Sequence, residues 1–160
     1  MIFWWGMIKV NLVCVGKVKE KYFLSGIEEY AKRLQRFCEF SVIETPEENA
    51  KNLSENATRE REGQHILPKL RGAVFALAIE GKKYSSEQFA AKIKKLKDGG
   101  TGEITFVIGG SYGLSDDVKQ KADELISFSD MTFPHTLFRL MFAEQIYRAF
   151  TIIEGVTYHK

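Results

Sequence analysis

Apolar and polar side chains alternate from Ile8 through Val10, Leu12 and Cys14, and the run stops at Gly16, which predicts a first β-strand. The period then lengthens. Phe23, Ile27, Tyr30, Leu34 and Phe37 recur at spacings of three and four, so they share one face of a helix lying over that strand. Phe40 to Ile43 predicts a second short strand closed by Pro46, and Ser54 to Leu67 a polar helix whose limits are blurred by Gly63 and Pro68. Ala73 to Ile79 is an almost unbroken apolar run, as expected of a strand covered on both faces at the sheet centre. Ser85 with Gln88 three positions on is a capping-box signal for a third helix, whose buried stripe is Phe89, Ile93 and Leu96. Ile104 to Ile108 predicts another buried strand, running directly into Gly109-Gly110-Ser111-Tyr112-Gly113. Ser115 then caps a helix with Asp116 and Asp117 in its first turn, where the helix dipole favours acids. Leu125 to Phe128 is a last strand, Ser129 to His135 an irregular connection, and Thr136 to Thr151 a final helix.

Five strands alternating with five helices imply an α/β fold with a mainly parallel sheet and helices on both faces. The final helix carries Leu137, Phe138, Leu140, Met141, Phe142, Ile146, Tyr147 and Phe150 around more than one face. Such a helix is either central to the fold or shared with another chain, and in the second case it would meet the same helix of a second subunit in an isologous contact.

A chain of 160 residues, 44% hydrophobic and 28% charged, is long enough for one self-sufficient core and has ordinary globular composition. Wholesale disorder and an integral membrane protein are both disfavoured, and no stretch approaches the ~20 apolar residues of a membrane span. Lys plus Arg (23) against Asp plus Glu (21) leaves +2, too weak an average field to announce nucleic-acid binding. Local excesses exist, basic over Lys17–Arg36 and Lys82–Lys97 and acidic over Glu44–Glu62, and by themselves they read as solvated helix faces. Cys14 and Cys38 have neither CxxC spacing nor a neighbouring His pair, so neither a zinc site nor a disulfide framework is expected. With no basic n-region or cleavage site at the start, a reduced cytoplasmic location fits. Both tryptophans lie in Met1-Ile2-Phe3-Trp4-Trp5-Gly6, before a second Met, and Met1 to Gly6 reads as an extension ahead of a single domain, 7–160.

Three segments could carry chemistry. Ligands of open α/β sheets bind beyond the carboxyl ends of central strands, where the glycine-rich turn after the fourth strand falls; a plain tight turn is the equal alternative. Neither GxGxxG after the first strand nor GxxxxGK[ST] is present. Phe128-Ser129-Asp130-Met131-Thr132-Phe133-Pro134-His135 offers hydroxyls, free amides and aromatic walls for an adenine ring, although locally it is also a plain βα connection with a capping His135. Tyr158-His159-Lys160 puts an aromatic, a near-neutral titrating group and a cation in succession, as a flipped base would need, whereas terminal residues by default fray. Arg139, Glu144 and Arg148 interrupt the apolar final helix, so they should line a polar seam or pair with one another.

From Met7 to Lys160 the chain resembles the ribosomal RNA large subunit methyltransferase H family of the SPOUT class. The resemblance is carried by Leu77-Ala78-Ile79-Glu80-Gly81-Lys82, by Ile108-Gly109-Gly110-Ser111-Tyr112-Gly113-Leu114-Ser115, and by Ser127 with Met131-Thr132-Phe133-Pro134-His135, Glu144-Gln145-Ile146-Tyr147-Arg148-Ala149 and Tyr158-His159-Lys160. The hexapeptide before Met7 departs from the pattern. The resemblance implies a SPOUT-type fold with a C-terminal trefoil knot, a homodimer, and methylation by S-adenosylmethionine of N3 of a pseudouridine in 23S rRNA on the assembled ribosome, without a metal. It assigns cofactor contacts to Leu77, Gly109, Phe128, Ser129, Asp130, Met131, Thr132 and Phe133, and target-nucleotide contacts to Tyr158, His159 and Lys160 with Arg148. Methyl transfer to a nitrogen that loses its proton needs alignment, a proton route and charge balance, which gives His159 the proton, Arg148 the charge and Tyr158 the stacking. A Cβ at Gly109 would then enter the cofactor space. Other activities of the class, ribose 2′-O or guanine methylation, and a non-catalytic ribosome-associated RNA-binding protein are the alternatives; the Tyr158-His159-Lys160 ending favours the first reading.

Overall fold

The computed structural model describes residues 6–160, so of the expected extension Met1–Gly6 all but Gly6 lies outside the described residues. Strands β1 (Lys9–Val15), β2 (Glu39–Thr45), β3 (Ala73–Lys83), β4 (Glu103–Ile108) and β5 (Glu124–Ser127) form one sheet in the order β2-β1-β4-β3-β5, and every neighbouring pair is parallel. Parallel neighbours require crossovers, which the helices α1 (Lys21–Leu34), α2 (Glu55–Ile66), α3 (Ser86–Asp98), α4 (Asp116–Lys121) and α5 (His135–Glu154) help to span.

Strand alternation divides the core in two. Val10, Leu12 and Cys14 of β1 and Ile104, Phe106 and Ile108 of β4 pack with α1, α3 and α5, while Val13, Val15 and Val107 pack with α2 and α4 on the other face. Phe106 centres the larger layer, its ring 4.8 Å from Phe142 and 5.5 Å from Phe75. The three serine caps form as their spacing requires: Ser54, Ser85 and Ser115 accept the N–H of Ala57, Gln88 and Val118, and Gln88 completes the capping box.

Helix α5 is central. It lies between α1 and α3 against the sheet, burying Phe142, Ala143, Ile146, Ala149 and Phe150, which accounts for most of its apolar circumference within one chain. Leu137, Leu140 and Met141 stay half-buried. Gly26 of α1 allows the close approach there, since a Cβ would sit 2.8 Å from a Leu140 methyl.

Three boundaries differ from expectation by three residues or more. β3 runs on to Lys83 because it leaves the core at its carboxyl end, where polar side chains can face solvent; between Leu77 and Lys82 its register against β5 shifts, both residues pairing with Ile126. A Cβ on Gly81 would lie 2.5 Å from the Leu125 carbonyl carbon, so that crossing needs glycine. α1 ends at Leu34, and Phe37 reaches the core from the following turn by stacking on Phe150 at 5.9 Å. α5 continues to Glu154 because Ile152 and Ile153 still pack on the core, and Gly155 at φ +67° ends it.

Candidate active site

The carboxyl ends of β3, β4 and β5 open into a cavity of about 980 Å³. Its floor is the glycine-rich turn, closed by the Gly113 N–H donating to the Gly110 carbonyl at 3.0 Å, with Gly113 at φ +84°. Gly109 also has a role within the turn itself. A Cβ there would meet the Gly113 carbonyl carbon at 2.5 Å and the Leu114 nitrogen at 2.9 Å, so it would spread the turn's own two limbs before it reached any ligand. The opposite wall is the β5–α5 connection. Ser127 Oγ donates to the Ser129 carbonyl at 3.0 Å, and Ser129 Oγ accepts the Met131 N–H at 3.0 Å, so hydroxyls fix the backbone of this wall. Phe128 is wedged edge-on between Phe89 and Phe138 at 5.8 and 5.1 Å.

Of the expected cofactor contacts, Leu77, Gly109, Phe128, Ser129, Met131, Thr132 and Phe133 all line this cavity. Asp130 is not among its lining residues; its exposed carboxylate pairs with Lys83. Of the rim, sequence reasoning named Met131 but missed Ile79 and Tyr112. Ile79, Tyr112 and Met131 are 49%, 48% and 72% exposed there, three large apolar side chains held open to solvent at one mouth. Glu80 accepts from Lys119 Nζ at 2.6 Å, and that lysine is the main reason its carboxyl is held below the usual range. Arg59 of α2 donates to the Tyr112 carbonyl at 3.3 Å, tying the turn to a helix on the other side of the sheet. The volume, the two backbone-rich walls and the apolar rim fit a nucleoside-sized cofactor.

The 158–160 segment is anchored for two of its three residues. Tyr158 Oη donates to Glu144 Oε1 at 3.0 Å, lies 3.3 Å from Tyr30 Oη, and carries the Arg148 guanidinium 4.8 Å above its ring. Burial, followed by these hydrogen bonds, pushes the Tyr158 phenol well above its ordinary pKa. Arg148 pairs with Glu144 one turn earlier, which raises the guanidinium pKa further. His159 bridges Arg148 Nη1 (3.1 Å to Nδ1) and Glu87 Oε1 (2.7 Å to Nε2), and Lys160 is exposed. A guanidinium can only donate, so Nδ1 holds the lone pair and Nε2 the hydrogen directed at Glu87. Glu87 is held below the carboxylate range by its own backbone amide first and by His159 second. The expected pairing of Glu144 with Arg148 forms. Arg139 stands apart: fully buried, it donates to Glu44 Oε2 at 2.8 Å and to the carbonyls of Val15 and Gly16 at 3.3 and 3.1 Å.

Within one chain the two clusters are set apart along α5. Phe138 lines the cavity and Arg148 lies ten residues further along α5, ~15 Å at helical rise. Between them a second cavity of about 560 Å³, walled by Tyr30, Ser86, Leu140, Met141 and Glu144, shares Phe128 and Phe133 with the first. Among the described residues no group of three or more His, Cys, Asp and Glu could hold a metal ion, and no helix is long and apolar enough to cross a membrane.

Residues 8–159 match the family described as "Predicted SPOUT methyltransferase". The chain is 54% identical to the ribosomal RNA large subunit methyltransferase H of Limosilactobacillus reuteri over 159 residues, which cover 96% of this chain and 100% of that protein. It is 52% identical, with the same coverage, to the protein of that name from Streptococcus thermophilus. Among solved structures, a putative methylase family protein from Neisseria gonorrhoeae superposes with a TM-score of 0.55 at 11% identity, covering 99% of this chain and 98% of that one, a likeness of fold.

Proposed function

The chain belongs to the SPOUT methyltransferase family, and on that premise we propose that it methylates N3 of a pseudouridine in 23S rRNA on the assembled ribosome, with S-adenosylmethionine as donor. The observation that carries this reading is the convergence of the Gly109–Gly113 turn and the Phe128–Phe133 wall on one cavity, together with a 158–160 segment that is tied down by Glu144, Arg148 and Glu87.

Leu77, Gly109 and the 128–133 wall would hold S-adenosylmethionine, which when bound supplies an electrophilic methyl group on its sulfonium; Asp130, turned to Lys83, serves the wall's outer face. The other groups act on the nucleotide. His159 Nδ1 is the basic end of an imidazole whose other nitrogen faces a carboxylate, the arrangement in which Glu87 stabilises the imidazolium once a proton arrives. The target N3–H replaces the Arg148 guanidinium at Nδ1, and the released guanidinium balances negative charge on the ring. Tyr158 stacks on the base and Lys160 takes phosphate.

The ~15 Å between the two clusters supports a homodimer in which the segment of one subunit meets the cavity of the other. Half-buried Leu137, Leu140 and Met141 are the apolar surface such a contact would use. Under this reading residues 7–160 are one domain with a trefoil knot in its C-terminal part, Met1–Gly6 is an extension, and the protein works in the cytoplasm without a metal. Mass spectrometry of 23S rRNA from cells with and without the protein tests the function. Loss of one methyl group from a pseudouridine base is expected, and rRNA unchanged at every pseudouridine would overturn it.

A further inference from the structure

Beneath the glycine-rich turn lies an acid that no step above uses. Glu62, on the polar helix α2, is only 3% exposed. Its Oε2 accepts the Glu48 N–H at 3.1 Å, whereas Oε1 has no hydrogen-bond partner within the protein and lies 2.9 Å from the point where a Gly110 Cβ would be. The carboxyl therefore fills the space that the missing side chain of Gly110 leaves open, and links the turn to the β2–α2 connection.

We propose that Glu62 is a positioning residue for cofactor binding: its buried carboxyl, braced on the Glu48 backbone, props the Gly109–Gly113 turn in the shape that receives S-adenosylmethionine. This rests on the cofactor reading given above. The charges around the carboxyl support a role for its proton. The β2–α2 connection presents Glu47 and Glu48, the latter 4.0 Å from Arg61. The β1 end presents uncharged Val15, whose carbonyl, with that of Gly16, is taken by Arg139. The turn itself presents bare backbone, and α4 presents Ser115 and Val118 to the adjacent Gly63. Burial, and then the two neighbouring glutamates, hold the Glu62 carboxyl above its ordinary range. Because Oε2 is occupied as an acceptor, a proton on this carboxyl would sit on Oε1, facing the turn. Ionisation would place a bare carboxylate against Gly110 and beside two like charges, and the turn would loosen. The prop is thus present below the raised pKa and lost as pH rises through it.

Calorimetric titration with S-adenosylmethionine, across the whole pH range in which wild type stays folded, tests this on wild type, Glu62→Gln and Glu62→Ala. Glutamine keeps the acceptor toward Glu48 and a donor toward Gly110 at every pH. Glu62→Gln should bind within about threefold of wild type below the raised Glu62 pKa and should exceed it by a growing factor, about tenfold per pH unit, as pH rises through and beyond it. Every other group is common to both proteins, so only the difference between their profiles is read. Glu62→Ala should bind at least about tenfold more weakly below the raised Glu62 pKa, the scale of one buried polar contact, and its amides at 110–113 should exchange faster without ligand. Superimposable profiles for wild type and Glu62→Gln would overturn the inference even if the alanine variant failed to fold. Wild type that binds nothing would overturn the cofactor reading itself.

Discussion

Arg148 and His159 face each other at 3.1 Å, guanidinium nitrogen to imidazole Nδ1, across eleven residues that turn the chain back on α5. The pairing fixes the imidazole tautomer before any substrate arrives. His159→Ala should therefore lower single-turnover methylation of ribosomes lacking the modification by about 10²- to 10⁴-fold, the usual cost of a positioned acid or base. Deleting residues 158–160 should abolish transfer yet leave S-adenosylmethionine affinity within a few-fold, because the cavity walls lie elsewhere in the chain. An undiminished rate in the truncated protein would remove the segment from the active site.

Gly109→Val should abolish cofactor binding and also lower the melting temperature, because its Cβ would strike the Gly113 carbonyl carbon at 2.5 Å. Gly113→Ala meets no neighbour and is strained only by its φ of +84°, costing about 1 kcal/mol. Thermal melts beside calorimetry separate the two, and normal binding by Gly109→Val would misplace the cavity's floor.

Removing the Arg139 side chain, as in Arg139→Leu, leaves the Val15 and Gly16 carbonyls unsatisfied beside Glu44. Urea unfolding should show a loss of about 3 kcal/mol, the low end for breaking a buried pair, since Glu44 is 39% exposed and can turn to water. A variant within 0.5 kcal/mol of wild type, roughly the scatter of neutral surface changes, would contradict the buried role.

Both cysteines are buried and free, and burial pushes each thiol up to about 12. Native protein should resist iodoacetamide through pH 9 and react at both sites once unfolded. An unfolded thiol ionises near 8.5, roughly the model-peptide value, so stability should decline as pH climbs from there toward the folded value. Alkylation of native protein at pH 8 would show that one of the two sites opens.

Sedimentation at micromolar concentration should show a dimer, and Met141→Glu should shift it toward monomer, because a carboxylate would enter the half-buried apolar surface of α5. Wild type sedimenting only as monomer would contradict the two-chain site.

Signals that act within a few residues were legible in the sequence. Ser85 and Gln88 wrote their capping box into a three-residue spacing, and the alternation in β1 and the apolar run of β3 marked two interior strands; the sheet centre expected of β3 falls instead to β4, because pairing order is set by distant segments. The two walls of the cavity were legible for the same reason, since each is one continuous segment. What joins distant segments was not. His159 meets Glu87 across 72 positions, and Arg139 meets Glu44 across 95, so no local pattern records either contact. Glu62 was hidden differently. The acidic bias of Glu44–Glu62 suggested solvated faces, and only the four-residue spacing of Thr58, Glu62 and Ile66, all buried, could have marked one face of that helix as turned inward.

The strand order also sets a timetable for biosynthesis. β1 takes its place between β2 and β4, and its Asn11 hydrogen-bonds Thr105, 94 positions later. While the chain is being made, β1 and β2 can pair at once, but the opposite edge of β1, as apolar as any strand in the sheet, stays unpaired until β4 has emerged. At roughly 5–20 residues per second that interval lasts several seconds or more. Nascent chains should therefore pass through a stage with an open, adhesive β-edge, and refolding from denaturant should be slow and concentration-sensitive for the same reason.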